Sequence, residues 1–541
     1  MKRIRRKIRA TWGAIPVAVL MAWTGAVASA QSTPGQEPFG SKPAARPAPA
    51  APSPVLPPQA VPVGREAELE ARLRQMESMV DRLSKQVEQL STGSAAATVP
   101  ATPAAAVKPP AAAPPNAPGQ SLPPNPPASA RFQVPATLDN KPGKVKFGPG
   151  FEIRTDDDEY ILQFHNITQI DYRGYQQGGQ NPVHDTFAIP RQWWMFSGRV
   201  GKQWGYFVSF QNGFDNISGL DIFADYSYDP KFQIRAGRFK TPFTYEFLVE
   251  PIQGMITPER SVFFNNFGQN RDVGVMAYGR LVPKKFDYAV GVFNGNRNGF
   301  LANADSKTVS AFINYKPFGD EENTLLENFN IGGSVFTGNA SNVANPQVLR
   351  TAVATTGNQI LGVPFLAFNN NVRESGPRTF WDAHIAYFYN HLSVIAEYGG
   401  GYQEYAPATM LSNRTRMDVQ SFYVQSGYFL TGETASGTGL VKPLRPFNLS
   451  RDKFGLGAIE LQGRYAYLDL GNKVFSNGLA DPNLWTDRLF VSDLGVNLHL
   501  TQYIKLMLDW QHSGFGSPVQ FAPGRSQLTS DMFMLRFQLY F

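Results

Sequence analysis

The residues best equipped for chemistry in this 541-residue chain are cations, and the chemistry open to them is electrostatic. Arg464 and Arg536 stand on segments that alternate between apolar and polar residues, and Lys231, Gln233 and Arg235 share one face of another. With Arg199, Lys240, Arg260 and Arg271 they are the candidates for lining a water-filled interior. Where water is restricted, a guanidinium or ammonium replaces part of an anion's hydration and raises its local concentration. Arginine offers an oxyanion a bidentate fork, and lysine a point charge. The alternative for each is pairing with an inward acid such as Asp225, Glu460 or Asp493, an ordinary arrangement in an aqueous interior.

Covalent and metal chemistry find little support. The chain has no cysteine, which excludes disulfides, a thiol nucleophile and thiolate metal sites. It contains no HExxH, GxSxG, phosphate-loop lysine or strand-following GxGxxG pattern. Its six histidines (His165, His184, His384, His391, His499 and His512) have no ligand-spaced partners, and His499 and His512 are expected to line an interior. The acidic run Asp156 to Glu159 reads as a solvated turn, with a divalent-cation site as the alternative. The expectation is a protein that is not an enzyme and needs no cofactor or metal.

The elements that position the cations are strands. From about Glu159 onward the apolar pattern has period two, clearest where Phe533, Leu535, Phe537, Leu539 and Phe541 alternate with Met534, Arg536, Gln538 and Tyr540. The pattern gives sixteen strands, at about 160–173, 189–201, 204–213, 220–229, 231–241, 271–281, 285–294, 307–316, 328–338, 379–390, 392–401, 416–429, 453–470, 486–500, 502–513 and 529–541. Connections after even strands are mostly tight, as at Asp229-Pro230 and Asn390-His391, with 317–327 and 430–452 as exceptions. Those after odd strands are long, 242–270 and 339–378 above all, followed by 295–306, 402–415, 471–485 and 514–528. A soluble sandwich has no such asymmetry between its ends, whereas a membrane barrel does. An even number of strands allows closure, which removes the edges that lipid would not tolerate, and sixteen is a size at which the lumen is an aqueous channel. Trp193, Trp194, Trp204, Tyr226, Tyr228, Tyr387, Tyr389 and Trp510 are candidates for interfacial girdles. The fold class is all-β, a sixteen-stranded antiparallel transmembrane β-barrel over 151–541.

The preceding segments differ in kind. Residues 1–30 read as a secretory signal peptide, with a basic start, an apolar stretch and Ala28-Ser29-Ala30 as cleavage pattern; an N-terminal anchor is the alternative. Residues 31–64 and 91–130 are Pro/Ala-rich linkers, and 91–150 leads into the barrel. Between the linkers, Leu69, Leu73, Met76, Val80, Leu83, Val87 and Leu90 form a heptad seam, a short coiled coil over 65–90, with a single amphipathic helix as the alternative. The net charge of +7 is mostly that of the signal. Without residues 1–30 the chain carries 44 basic against 43 acidic residues, so nothing in its global charge calls for nucleic acid.

Several stretches, in order, resemble the phosphate-selective porin O and P family of outer-membrane channels over about 150–541. They are FHNITQIDYRGY (164–175), AGRFKTPF (236–243), Glu259-Arg260-Ser261, NRDVGV (270–275), GVFNG (291–295), SFYVQSGYFLTGE (421–433), PLRPF (443–447), GAIELQGRYAYLDL (457–470) and the closing LRFQLYF with terminal Phe541. The resemblance implies a sixteen-stranded outer-membrane porin, usually a homotrimer, that passes small anions or other hydrophilic solutes by diffusion, with phosphate among them. It also implies that the third outer loop, 242–270, folds into the lumen. That loop holds Arg260 as its one cation against Glu246, Glu250 and Glu259. Strict alternation would turn Arg238 and Lys240 to lipid, and a bulge at Gly237 would return them to the lumen. The expected setting is the outer membrane, with the N-terminal extension in the periplasm and membrane lipids around the barrel. A second reading makes the barrel the anchor of an envelope tether, with residues 31–130 contacting the cell wall. The heptads lean towards dimers, but the barrel interface, being larger, decides for the trimer.

Overall fold

The computed structural model describes residues 142–175, 183–213, 216–302, 305–340, 346–352 and 361–541. The signal, linker and coiled-coil expectations fall outside these residues. Its strands are β1 (Gly143–Gly148), β2 (Gly150–Thr155), β3 (Tyr160–Tyr175), β4 (Thr186–Val200), β5 (Trp204–Gly213), β6 (Asn216–Asp229), β7 (Phe232–Lys240), β8 (Arg271–Val282), β9 (Phe286–Phe293), β10 (Thr308–Tyr315) and β11 (Phe329–Ala340). There follow the short β12 (Leu349–Arg350) and β13 (Pro364–Leu366), and then β14 (Val372–Tyr389), β15 (Leu392–Pro407), β16 (Thr415–Phe429), β17 (Ala458–Asp469), β18 (Arg488–His499), β19 (Ile504–Ala522) and β20 (Arg525–Tyr540).

Among the described residues each strand from β3 onward pairs antiparallel with the next, save β12 and β13, which pair only with each other, so that β11 meets β14. The wall closes where β20 meets β3, from Met532↔Tyr175 to Tyr540↔Ile167. The result is a closed sixteen-stranded barrel. Exposed Ile170, Leu508, Phe533 and Leu535 face outward while Asp171, Arg464, Asp509 and Arg536 are buried inside. Period two therefore separates a lipid face from a lumen face, as the pattern required. Below the end of β20, the hairpin of β1 and β2 covers the free edge of β3 through Phe151↔Phe164 to Arg154↔Ile161.

Four details differ from the sequence reading. Residues 514–528 are not a long loop: β19 and β20 run on past Phe515 and turn at Gly524, whose φ is +73°. The pairing runs through Gly237 without a bulge. Gly237 has φ +132°, and a Cβ there would sit 2.3 Å from the Ile222 carbonyl oxygen. Arg238 consequently stays beside Ile222 on the outer face, where its guanidinium donates to the carbonyls of Gly219, Leu220, Asn298 and Gly299 under the Phe300 ring. Trp193 belongs to the lumen and packs on Ile167, Ile252 and Met255, while Trp204, Tyr228 and Tyr389 are exposed in the outer wall. His499 is inward against Glu460, but His512 lies on the outer face, its Nδ1 2.7 Å from Asp531. The acidic run is a turn, with Asp157 accepting from the Thr155 hydroxyl and the Glu159 amide.

The lumen is not uniformly polar. The loop between β7 and β8 folds inside and carries short helices at Tyr245–Leu248 and Val262–Phe267, the second capped by the Ser261 hydroxyl. Its Phe243, Phe247, Phe263, Phe264 and Phe267 bury against inward Phe312, Phe336, Phe380 and Phe388. Each such ring stabilises the inserted loop by roughly 1.5–3 kcal/mol relative to an exposed one. The long turn between β16 and β17 also enters from the opposite end. Gly439 there approaches Gly254 so closely that a Cβ on Gly254 would stand 2.6 Å from the Gly439 nitrogen.

Candidate constriction site

The inserted loop meets two kinds of cation. The first kind holds it. Glu259, buried at the loop's inner end, accepts from Arg191 (2.7 Å), Arg173 (2.9 Å) and Arg536 (2.6 Å). Arg536 also grips Asp171 at 2.7 Å and 2.8 Å and donates to the Pro258 carbonyl. Arg464 pairs with Asp493 at 2.8 Å and donates to the Thr257 hydroxyl and the Glu259 carbonyl. Burial alone would push the Glu259 carboxyl up; Arg191, Arg536 and Arg173 outweigh it and hold the group well below the usual carboxylate range. Four arginines from β3, β4, β17 and β20 thus clamp Thr257 to Glu259 to the wall.

The second kind surrounds one ring. Lys240 Nζ lies 5.0 Å, the Arg260 guanidinium 5.2 Å and the Arg271 guanidinium 5.9 Å from the centre of Phe247. Lys240 donates to the Phe247 carbonyl at 2.9 Å, and Arg271 shares Asp221 at 3.0 Å and lies over Trp193 at 5.3 Å. Arg260 donates to the Glu250 carbonyl at 3.2 Å, while its buried Nη1 has no hydrogen-bond partner among the described residues. The ring faces attract cations that water would otherwise solvate. Glu250, with the Ile256 amide and the Gln425 amide nitrogen on its carboxylate, sits at the edge of the cluster. Its burial pushes the carboxyl up to about 7, against the opposing pull of Arg260.

The candidate cations therefore fall into distinct settings. Lys240, Arg260 and Arg271 come together, from the end of β7, the loop and the start of β8. Arg464 and Arg536 face inward, as their clean alternation indicates, but lie beneath the loop in ion pairs. Arg235 lies further towards the short-turn end, paired with Asp225 at 2.8 Å in a partly exposed stretch of wall with Tyr278. Arg199 donates to the Asp158 carbonyl beside that end, and Lys231 is exposed at the turn before β7. Arg173 and Arg191 were not among the sequence candidates. Arg173 was accessible to alternation, on the same face as Gln169 and Asp171. Arg191 was not, because a register shift between Gln169 and Asp171 changes the parity of β4 there. Among the described residues no group of side chains has metal-binding geometry.

Solved structures similar to this chain include the in-vitro folded trimer form of OmpT, an outer-membrane protein of Vibrio cholerae. It has 9% identity and a TM-score of 0.45, over 71% of this chain and all of that one. The outer-membrane channel DcaP of Acinetobacter baumannii has 10% identity and a TM-score of 0.42, over 72% and 99%. Salmonella typhi OmpF in complex with daunomycin has 12% identity and a TM-score of 0.42, over 72% and 100%. Among curated proteins none matches. The family model for phosphate-selective porin O and P matches residues 164–541, the whole closed barrel from β3 to the last residue apart from residues 160–163 at the start of β3. An outer-membrane channel for small solutes is what that match and the sixteen-stranded wall describe. The chain belongs to the phosphate-selective porin O and P family.

Proposed function

We propose that the channel favours small anions, phosphate among them, and that Lys240, Arg260 and Arg271 form its selective constriction. The observation that carries this reading is the convergence of three cations on Phe247, one with a buried N–H that no group among the described residues satisfies. A dehydrated oxyanion supplies the acceptor that this N–H lacks. Passage needs no covalent step. A solute moves along the partly exposed wall of β4 to β8, where Arg235 and Arg199 continue the line of positive charge towards the short-turn end. We assign that end to the periplasm, with residues 31–130 extending there and the barrel assembled as a homotrimer, as is usual in the family.

Single-channel recording in a planar bilayer tests the reading. In a KCl gradient the reversal potential is expected on the chloride side, and added phosphate is expected to reduce the chloride current. Substituting Arg260→Ala and Lys240→Ala together is expected to remove both effects. An ohmic channel with no preference and no phosphate effect would overturn the proposal and leave a general porin.

A further inference from the structure

The hairpin of β1 and β2 lies outside the family match, and none of the residues assigned to the constriction is on it. Its two faces differ sharply. The register aligns Val145 with Ile153 and Leu162, and Phe147 with Phe151, Phe164 and Phe196. The Phe151 and Phe164 rings stand 5.3 Å apart, and those of Phe164 and Phe196 5.1 Å. This row begins on the hairpin and ends on β4, in the outer wall of the barrel. At its free end Phe147 is 80% exposed and Val145 57%. The other face carries Lys144, Lys146, Glu152 and Arg154. Lys144 pairs with Asp156 at 2.9 Å and Arg154 with Glu152 at 2.6 Å, and Gln163 on β3 donates to Glu152. That face continues the polar lining of the lumen.

We propose that the hairpin is a membrane-surface anchor, with Val145 and Phe147 seated in the lipid leaflet at the short-turn end. The occupant is lipid because the apolar row is continuous with the wall that lipid already covers, and because the charges turn away from it. Depth follows from the backbone. Among the described residues β1 pairs only with β2, so its other edge has N–H and C=O groups that hydrocarbon would leave unsatisfied. The edge must stay where water or headgroups reach it, while an aromatic side chain enters beside them. That is the depth aromatic residues favour at a membrane boundary.

The absence of native cysteine makes a direct test simple. Phe147→Cys and Lys146→Cys are made in the full chain, labelled with an environment-sensitive fluorophore, and reconstituted in phosphatidylethanolamine–phosphatidylglycerol vesicles. Heat-modifiable gel mobility confirms the folded barrel in each. The label at 147 is expected to be blue-shifted and quenched several-fold more by nitroxide-bearing lipid than by aqueous iodide, and the label at 146 the reverse. Val145→Cys is expected to behave as 147 does. Iodide quenching without lipid quenching at 145 and 147 would overturn the proposal in favour of a solvated face. Protection from both quenchers would overturn it in favour of cover by protein, a second copy being the first candidate.

Discussion

The two ends of the inserted loop use the same side chains to opposite effect. At Glu259, arginines from four strands share three buried carboxylates, Asp171, Asp493 and Glu259 itself, and each has one of them within 3 Å. At Phe247, three cations share a ring, one ion pair to Asp221 and backbone carbonyls, and keep unspent positive potential. Burial with a carboxylate in contact with every arginine produces a clamp, whereas burial with backbone carbonyls as the main partners produces a binding site. The counterion, more than the number of arginines, separates structure from selectivity.

The largest effect should come from breaking the clamp. Glu259→Gln leaves Arg191, Arg173 and Arg536 with Asp171 as their remaining acid. Removing one partner of a buried ion pair costs about 3–5 kcal/mol, charged here to the seated loop rather than to the barrel ladder. We expect protease cleavage within residues 241–270 of a barrel that keeps its heat-modifiable mobility. A loop as resistant as the native one would show that its aromatic packing holds it alone.

Next in size is the ring cluster. At about 7 Å a unit charge acts on a passing anion by about 0.6 kcal/mol in water and about 2.4 kcal/mol at an effective dielectric of about 20. Arg260→Ala alone should therefore lower the chloride-to-potassium permeability ratio by roughly threefold to fiftyfold, read from the reversal potential. Arg464→Ala, equally cationic but already paired with Asp493, should change that ratio far less and loosen the loop instead. Equal shifts from the two variants would dissolve the distinction between clamp and site.

A pH titration sharpens the same contrast. Glu250 is raised from 4.5 to about 7, so it is largely neutral below that pH and offsets one positive charge above it. Anion preference should fall as pH rises through about 7, and Glu250→Gln should flatten the curve at its low-pH level. The linked stability has the same sign. With its folded value above its ordinary one, Glu250 favours the seated loop when protonated, and that contribution is lost as pH rises through about 7.

Much of this was legible in the sequence, and what was not has physical causes. Alternation marked the strands because every residue of a barrel wall faces either lipid or lumen, and it turned Arg464, Arg536 and Arg235 to the correct side. The same rule could not say what would cover them. Asp493 and Asp225 were foreseeable as partners, since they stand directly opposite Arg464 and Arg235 on neighbouring strands. Glu259 was not foreseeable as a hub, because it reaches its arginines through a loop whose path no period encodes. The Phe247 cluster was hidden for the same reason: Lys240, Phe247, Arg260 and Arg271 meet only once the loop turns inward. Arg238 shows the cost of repairing a pattern. It appeared misplaced for lipid, yet carbonyls and Phe300 satisfy it on the outer side.

The smallest expected effect lies on the open wall, where the comparison predicts an intermediate case. Arg235 and Asp225 pair as Arg464 and Asp493 do, but with 23% and 19% of their side chains exposed. Water there already screens the pair, and exposed ion pairs contribute only about 0–1 kcal/mol. Asp225→Asn should leave the loop protease-resistant and the barrel intact. It should raise the chloride-to-potassium ratio slightly, because Arg235, held over Phe223 at 3.8 Å, keeps its place after losing its counterion. A shift as large as that of Arg260→Ala, with opposite sign, would move the rate-limiting constriction from Phe247 down to Arg235. No shift at all would mean that solvent neutralises any cation outside the ring cluster, which confines selectivity to the residues around Phe247.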